Sequence, residues 1–190
     1  MSRYLPLAFL LLGTHTAQAD GLDISLGSDA AALTYLTDSS SIGYGGADVG
    51  VGVFFNEEND YLFNANILVS GKPATSGQPV QIGVGTKGYL GVFDRSDLTL
   101  GALAIGGQVR YVVPSSVGPM SAVGEIFYAP EITSFSDAES LTELNLRFEF
   151  EVVPSTRAYI GYRLLEVDFE TVDNVEFDDD VHLGIRFELN

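Results

Sequence analysis

A strict alternation of apolar and polar residues over 144–152 constrains the possible folds most strongly. The apolar members of this segment are Leu144, Leu146, Phe148, Phe150 and Val152. Successive side chains of a β-strand point to opposite faces, so this period gives one apolar and one polar face. The last segment, 181–189, repeats the pattern. Two classes fit: a soluble sandwich, whose polar face meets water, and an outer-membrane barrel, whose apolar face meets lipid and whose polar face lines a lumen.

Residues 1–19 have the features of a secretory signal peptide. Arg3 supplies the positive charge, residues 5–12 form a short apolar stretch, and Ala17-Gln18-Ala19 is a small-residue cleavage site. The apolar stretch is too short to cross a bilayer as a helix, although a retained N-terminal anchor is the alternative interpretation. We therefore expect an export signal followed by a single domain over 20–190.

Composition excludes several function classes. The chain has no cysteine, which excludes disulfides, thiolate metal sites and a cysteine nucleophile. Its net charge of −17 disfavours binding to nucleic acid. Many of the 21 glycines fall inside strand-like segments, where small inward-facing residues leave room for larger polar neighbours in a narrow barrel. These features favour the barrel over the sandwich.

The alternation predicts an all-β, antiparallel, up-and-down transmembrane barrel of about ten strands, with almost no helix. The predicted strands are 21–27, a short strand containing Leu33 and Tyr35, 48–55, 61–70, 80–93, 98–113, 121–128, 141–153, 157–170 and 181–189. Many run 9 to 14 residues, and membrane barrels need about 9–11. If the first two short strands do not cross the membrane, the count is eight. We also expect a β-bulge near Leu103, where the apolar residues of the alternating pattern shift by one position.

An even strand count would place both termini on the periplasmic side. The turns at 114–119 and 154–156 then lie on that side, and the loops at 130–140 and 171–180 lie outside. Because the chain has no tryptophan, any aromatic girdle must use tyrosine and phenylalanine. The girdle candidates are Tyr61, Phe63, Tyr89, Phe93, Tyr111, Tyr128 and Phe169.

Two segments, 125–139 and 157–169, resemble the YfaZ family of small bacterial outer-membrane proteins. The most specific pieces are Tyr128-Ala-Pro130, the following Ser134-Phe-Ser-Asp137, and Tyr159-Ile-Gly-Tyr-Arg163. The resemblance is clear from about residue 120 to the end. It implies a signal peptide, an outer-membrane β-barrel in a Gram-negative bacterium and no well-defined biochemical activity.

The C-terminal segment also resembles the assembly signal of outer-membrane barrels. Gly184, Phe187 and Leu189 fit that signal and imply recognition by the barrel-assembly machinery. The segment departs from it at the end, because the chain finishes on Leu189-Asn190 and not on an aromatic residue. The other expected partners are outer-membrane lipid and lipopolysaccharide, and we expect a monomer.

A charged network is predicted on the polar face of the last three strands. Inside a small barrel such charges must be paired, so they either fill the lumen as a plug or line a narrow pore. The network residues are Glu143, Arg147, Glu149, Glu151, Arg163, His182, Arg186 and Glu188.

Catalytic and metal chemistry find little support. His182 is the only histidine in 20–190, and no nucleophile-elbow motif accompanies it, so we expect no enzymatic activity and no cofactor. The glycine-rich segment 43–52 precedes a strand and lacks the lysine of a phosphate loop. An acidic segment at 171–180 is either a solvated loop or a site where divalent ions bridge to lipopolysaccharide phosphates. The candidate ion contacts there are Asp173, Glu176, Asp178, Asp179 and Asp180, to which Glu57, Glu58, Asp60, Asp137 and Glu139 could add.

The leading functional hypothesis is a small integral barrel with a structural or surface-interaction role and no defined reaction. The alternatives are a narrow passive channel, a periplasmic lipocalin-like binder and a lipid-modifying barrel enzyme that uses His182.

Overall fold

The computed structural model of the chain describes residues 20–39, 46–71, 78–93, 98–115, 118–170 and 175–189. The predicted signal peptide at 1–19, the segments 40–45, 72–77 and 94–97 between predicted strands, and the candidate ion contact Asp173 lie outside the described residues. Within these ranges, no helix is long and apolar enough to cross a membrane.

Ten strands form the wall of the molecule, and an eleventh, very short strand extends one of them. The strands are β1 (Asp20–Leu26), β2 (Ala30–Asp38), β3 (Asp48–Asn56), β4 (Tyr61–Ser70), β5 (Val80–Phe93), β6 (Leu98–Val113), β7 (Met120–Ala129), β8 (Ser134–Ser136), β9 (Ala138–Val153), β10 (Thr156–Phe169) and β11 (Val175–Leu189). A 3-10 turn, Glu131–Thr133, lies between β7 and β8. The expectation of almost no helix is therefore met in the described part of the chain.

The sheet closes on itself as an antiparallel barrel. Strands that are consecutive in the wall pair antiparallel from β1 round to β11. The first and last strands complete the ring, with Asp20 opposite Leu189 and Leu26 opposite Leu183. The prediction of a closed up-and-down barrel is confirmed, and the strand count is ten and not eight. We call the end that holds Asp20 and Leu189 the termini end.

The β7 strand of the wall is interrupted and then resumes as β8. The first part pairs with β6 from Met120 to Tyr128, and β8 pairs with the same strand nearer its start, with Phe135 opposite Gly101. Pro130 has no N–H to donate to the ladder. Its carbonyl instead accepts hydrogen bonds from the Thr133 N–H at 2.9 Å and the Ser134 hydroxyl at 3.1 Å. This short turn is the segment that carries the family-like motif.

The outward face of the wall is an apolar belt. Its large hydrophobic side chains are about half exposed or more, as Leu90 (68%), Ile105 (67%) and Val84 (65%) show. On β10 the outward residues change from Leu164 to the acidic Glu166 as the strand leaves the termini end. The alternation seen in the sequence therefore separates an apolar outside from a mostly polar inside.

The inward face carries an aromatic plug at the end opposite the termini. The plug consists of Phe93, Phe169 and Phe177, with Phe93 in edge contact with Phe169 (5.1 Å between ring centroids) and with Phe177 (5.8 Å). Buried aliphatic side chains, including Leu141 and Leu165, pack around it. The lumen is therefore filled at this end by an apolar core.

Two sequence-based expectations are wrong because of this plug. The girdle candidates Tyr89, Phe93 and Phe169 point inward and are 1–2% exposed. The phase slip near Leu103 is not a bulge, because the β5–β6 register runs without a break. Leu100, Ala102 and Ala104 face the apolar interior while alternate residues face outward, so both faces of this stretch are apolar.

The predicted acidic loop at 171–180 is largely strand. β11 begins at Val175, so Glu176, Asp178, Asp179 and Asp180 lie on the wall. The register against β10 shifts by one residue here, and Phe177 is the extra residue. The bulge turns both Phe177 and Asp178 inward, where each is less than a tenth exposed. Similarly, the predicted loop at 130–140 contains β8 and the start of β9.

Candidate functional site

A polar cavity of about 740 Å³ occupies the lumen from the termini end to the middle of the barrel. Residues from both chain ends, such as Asp20 and Glu188, line its mouth. Its deepest lining includes Phe54, Phe127 and Lys87, and the aromatic plug lies beyond. The cavity is therefore closed at the plug end by the described residues.

Every lysine and arginine that the structure describes lines this cavity and pairs with an acidic side chain. The shortest N–O contacts are Arg147–Glu125 (2.5 Å), Arg186–Asp23 (2.6 Å), Lys87–Glu143 (2.7 Å), Arg110–Glu149 (2.7 Å), Arg157–Glu188 (3.0 Å) and Arg163–Asp178 (3.0 Å). Buried ions are costly unless they are paired, so the wall balances its cations one to one.

Glu149 is the centre of the larger group of charges. Its carboxylate contacts Arg110 at 2.7 Å and lies 3.6 Å from the Nε of Arg147 and 3.9 Å from an Nη of Arg186. Only 1% of the residue is exposed. Asp23 extends the group, because it accepts hydrogen bonds from Arg186 and from the Tyr159 hydroxyl. Five strands, β1, β6, β9, β10 and β11, are thereby joined through one side of the lumen.

A second group surrounds Glu143 near the floor of the cavity. The carboxylate accepts hydrogen bonds from the Lys87 ammonium at 2.7 Å and from the Tyr89 hydroxyl. Lys87 also lies 5.6 Å from the ring centroid of Phe127, and Arg163 lies 4.5 Å from that of Phe54. Aromatic faces attract cations at these distances, so the floor joins the charged cavity to the apolar plug.

All eight network residues predicted from the sequence lie on the inward face. Six of them form the ion pairs above, and one of the six, Glu188, does so through Arg157. Glu151, near the end of β9, is partly exposed. The sequence analysis did not include several partners in the network. Four come from earlier strands, Asp23, Lys87, Arg110 and Glu125, and two from the last strands, Arg157 and Asp178. One feature of the sequence could have indicated these partners. Each basic residue inside a predicted strand occupies a polar position of the alternating pattern, which is the inward face.

The sequence left two alternatives for these charges, a plug that fills the lumen and the lining of a narrow pore. The structure shows neither. The ion pairs line the wall of a cavity, so they do not fill the lumen, and the closing element is aromatic. Small residues provide the room: a Cβ at Gly50 would lie 2.3 Å from the Asn66 side chain, and one at Gly161 would lie 2.6 Å from the His182 ring.

His182 is 2% exposed and packs edge to face against Tyr159, with 5.8 Å between ring centroids. Neither ring nitrogen has a hydrogen-bond partner in the described structure. The serine–histidine pair that a hydrolase requires is therefore not formed at this residue among the described residues.

The candidate divalent-ion contacts are not brought together. Asp178 faces the lumen and pairs with Arg163, whereas Asp179 faces outward and accepts a hydrogen bond from Tyr162. Asp180 accepts a hydrogen bond from the backbone N–H of Ser28 at 3.1 Å, and Glu176 is exposed. No group of three acidic or histidine side chains suited to a metal ion occurs in the described residues.

The fold defines the class of protein as a closed ten-stranded antiparallel β-barrel with an apolar exterior and a charged, half-filled lumen. The sequence model of a family described as "YfaZ precursor" matches residues 64–189. The chain therefore belongs to the YfaZ family, as the resemblance of its later strands indicates.

Other comparisons add little. A crystal structure of the outer-membrane channel DcaP of Acinetobacter baumannii is similar over 88% of this chain and 54% of that chain, with 12% identity and a TM-score of 0.43. The chain thus spans about half the length of that protein. No curated protein matches the chain.

Proposed function

We propose that this protein is a small integral barrel of the bacterial outer membrane, with a structural or surface-interaction role and no reaction of its own. The apolar belt carries this proposal. Outward side chains such as Phe63, Leu90 and Ile105 would cost free energy in water, at roughly 25 cal/mol per Å² of apolar surface, and would face acyl chains in a membrane.

The same belt argues against the alternative of a soluble periplasmic binder. A lipocalin-like barrel buries its apolar side chains inside and presents a polar surface. Here the inward face holds the ion pairs over the half near the termini, and the outward face carries a continuous apolar belt, which a soluble barrel would not expose.

The aromatic plug argues against a passive channel. Phe93, Phe169 and Phe177 are each at most 4% exposed and contact one another across the lumen. A hydrated ion has no path through such a core, because its charge would have to leave water. We therefore propose a barrel that does not conduct.

The proposed partners follow from the two faces. Outer-membrane lipid would contact the belt, and divalent ions would bridge lipopolysaccharide phosphates to outward acidic residues at the plug end, such as Glu176 and Asp179. The assembly machinery would recognise β11 through Gly184, Phe187 and Leu189, of which the last is half exposed on the outward face. The ring closes within one chain, which supports a monomer.

Conductance in a planar lipid bilayer tests the proposal. The purified barrel should insert and give no conductance steps. A Phe93→Ala/Phe169→Ala variant, which removes both edge contacts of the plug, should leak, whereas Phe63→Ala/Phe55→Ala on the outward face should not. Regular steps from the unmodified protein would contradict the proposal and favour the narrow channel.

A further inference from the structure

The interruption between β7 and β8 inserts extra residues into the wall at the plug end. β7 pairs with β6 as far as Tyr128, which lies opposite Ile105. β8 resumes the ladder at Ser134, which lies opposite Ala102. The chain therefore advances six positions on one side of the ladder and three on the other. The extra length is taken up by the 3-10 turn Glu131–Thr133, in which no residue is buried.

The inserted turn lies outside the packed interior. Next to it, Ala129, Ala138 and Leu141 are each less than a tenth exposed and belong to the core around the aromatic plug. Ile132 is 87% exposed, the highest value of any large hydrophobic side chain in the described residues. Because the interior is filled here, the side chain of Ile132 is presented to the surroundings of the barrel.

Hydrogen bonds hold this segment in a defined conformation. The Pro130 carbonyl accepts hydrogen bonds from the N–H of Thr133 at 2.9 Å and from its hydroxyl at 3.2 Å. The same carbonyl accepts one from the Ser134 hydroxyl at 3.1 Å. After β8, the Asp137 carboxylate binds the N–H and the hydroxyl of Thr99 at the start of β6. The turn is therefore a fixed support that is tied to the wall on both sides.

The turn continues the apolar belt at its edge. Phe135 of β8 faces outward over β6 and is 59% exposed. Tyr128, just before the turn, is half exposed on the same face. On the neighbouring β9, the outward side chain opposite Tyr128 is Thr142. Beyond it, Ser140 donates a hydrogen bond to Asp168 of β10. The turn thus lies where the outward face changes from apolar to polar.

We infer that Ile132 and Phe135 form a membrane anchor, which inserts at the boundary between the head groups and the acyl chains of the leaflet at the plug end. Apolar side chains with polar neighbours favour this boundary, and tyrosines such as Tyr128 are enriched there. Glu131 and Thr133 remain among the head groups on either side of Ile132. Lipid is the partner because the apolar surface of the turn is continuous with the belt. The anchor fixes the depth of the barrel in the membrane.

The inference rests on the proposed function, since only a barrel inserted in a bilayer places the turn at this boundary. The chain contains no tryptophan, so a single introduced tryptophan reports on its own surroundings. The Ile132→Trp variant is reconstituted in phosphatidylcholine vesicles. Its fluorescence is quenched by lipid brominated near the head group, by lipid brominated near the chain ends, or by iodide on both sides of the membrane.

Two variants calibrate the measurement. Val84→Trp, on the outward face of β5 within the belt, represents a side chain among acyl chains. Glu57→Trp, in the exposed turn between β3 and β4 at the same end of the barrel, represents a side chain in water. Heat-dependent gel mobility verifies that each variant is folded.

We expect the Ile132→Trp variant to lose about half of its emission to lipid brominated near the head group, and iodide to quench it about threefold less than Glu57→Trp. Bromine near the chain ends should quench Ile132→Trp less than it quenches Val84→Trp.

Two results would overturn the inference. If iodide quenches Ile132→Trp as strongly as Glu57→Trp and brominated lipid does not, the turn lies in water. Protection from both quenchers would mean that protein, such as a second copy of the chain, covers the turn. By contrast, a Val84→Trp variant that neither brominated lipid quenches would show that the belt is not in a bilayer, and the proposed function would fail with it.

Discussion

Gly184 shows how one missing side chain shapes the wall. The ring of Tyr159 lies across this glycine from the neighbouring strand, and a Cβ at position 184 would come within 2.1 Å of it. The same tyrosine donates a hydrogen bond to Asp23 on the other side of β11. The glycine therefore lets an aromatic side chain cross a strand and tie β10 to β1.

Replacing Gly184 by alanine should lower the free energy of unfolding by about 1–3 kcal/mol, because the added methyl overlaps the Tyr159 ring. Urea unfolding in detergent, followed by circular dichroism, measures the change. Gly88→Ala is the matched control, since its Cβ would meet its nearest neighbour at 3.9 Å on the outward face of β5. Equal losses in the two variants would contradict the account of Gly184.

The buried pair of Lys87 and Glu143 should be sensitive to the loss of one partner. Their side chains are 10% and 3% exposed, and Lys87→Met leaves the carboxylate without its cation. We expect a loss of about 3 kcal/mol in unfolding free energy, most of which the double variant Lys87→Met/Glu143→Leu recovers.

The half-exposed pair Arg157–Glu188 is the control for that experiment. Its side chains are 33% and 39% exposed, so Arg157→Met should cost less than about 1 kcal/mol. If Lys87→Met is no more costly than Arg157→Met in the same urea titration, the ion pairs of the deep lumen do not stabilise the barrel.

At the residue scale, the sequence predicts the face of a side chain better than its partner. Alternation places Glu149 and Arg186 inside, because an apolar outer face and a polar inner face impose a period of two on each strand. It does not show that Lys87 meets Glu143. Those residues are on β5 and β9, which are not neighbours, so their meeting depends on the stagger of every strand between them.

Among the elements, the interruption between β7 and β8 is the least regular part of the wall. Asp137, in the turn after β8, holds it to the start of β6. Its carboxylate accepts hydrogen bonds from the N–H of Thr99 at 2.8 Å and from the Thr99 hydroxyl at 2.9 Å. These bonds favour the charged form and lower the pKa of Asp137 from its ordinary value.

This lowered pKa gives the turn a defined pH dependence. The contribution of Asp137 to stability is complete above the ordinary pKa of about 3.9 and is lost as the pH falls through the folded value. We expect Asp137→Asn to be less stable than the parent at pH 6, and the difference should shrink below about pH 4. Unfolding titrations at several pH values measure it, and a difference that persists at pH 2 would refute this role.

At the scale of elements, the sequence predicted side-chain orientation correctly in strands with one apolar face, and it failed in strands whose two faces are both apolar. The alternation is clear in β9 because its inward residues are polar from Glu143 to Glu151. In β5 and β6, inward side chains such as Tyr89, Phe93 and Leu100 belong to the plug. Apolar and polar residues then no longer alternate along the strand. This explains why a bulge was wrongly predicted at Leu103 and why inward aromatic residues were assigned to the girdle.

The whole molecule combines two kinds of interior in one barrel. The half near the termini is a charged cavity, and the other half is packed like the core of a soluble domain. Alternation alone predicts a barrel but not this division, because inward-facing aromatic and outward-facing aromatic residues look alike in a sequence. The division makes the lumen a pocket with a closed end.

The measurement that tests the central claim most directly is the gel mobility of the protein from isolated outer membranes, in detergent, with and without boiling. A closed ten-stranded barrel in the outer membrane predicts a band in that fraction that runs as a compact species unheated and shifts on boiling. A protein recovered in the periplasmic extract, with the same mobility before and after boiling, would contradict the account.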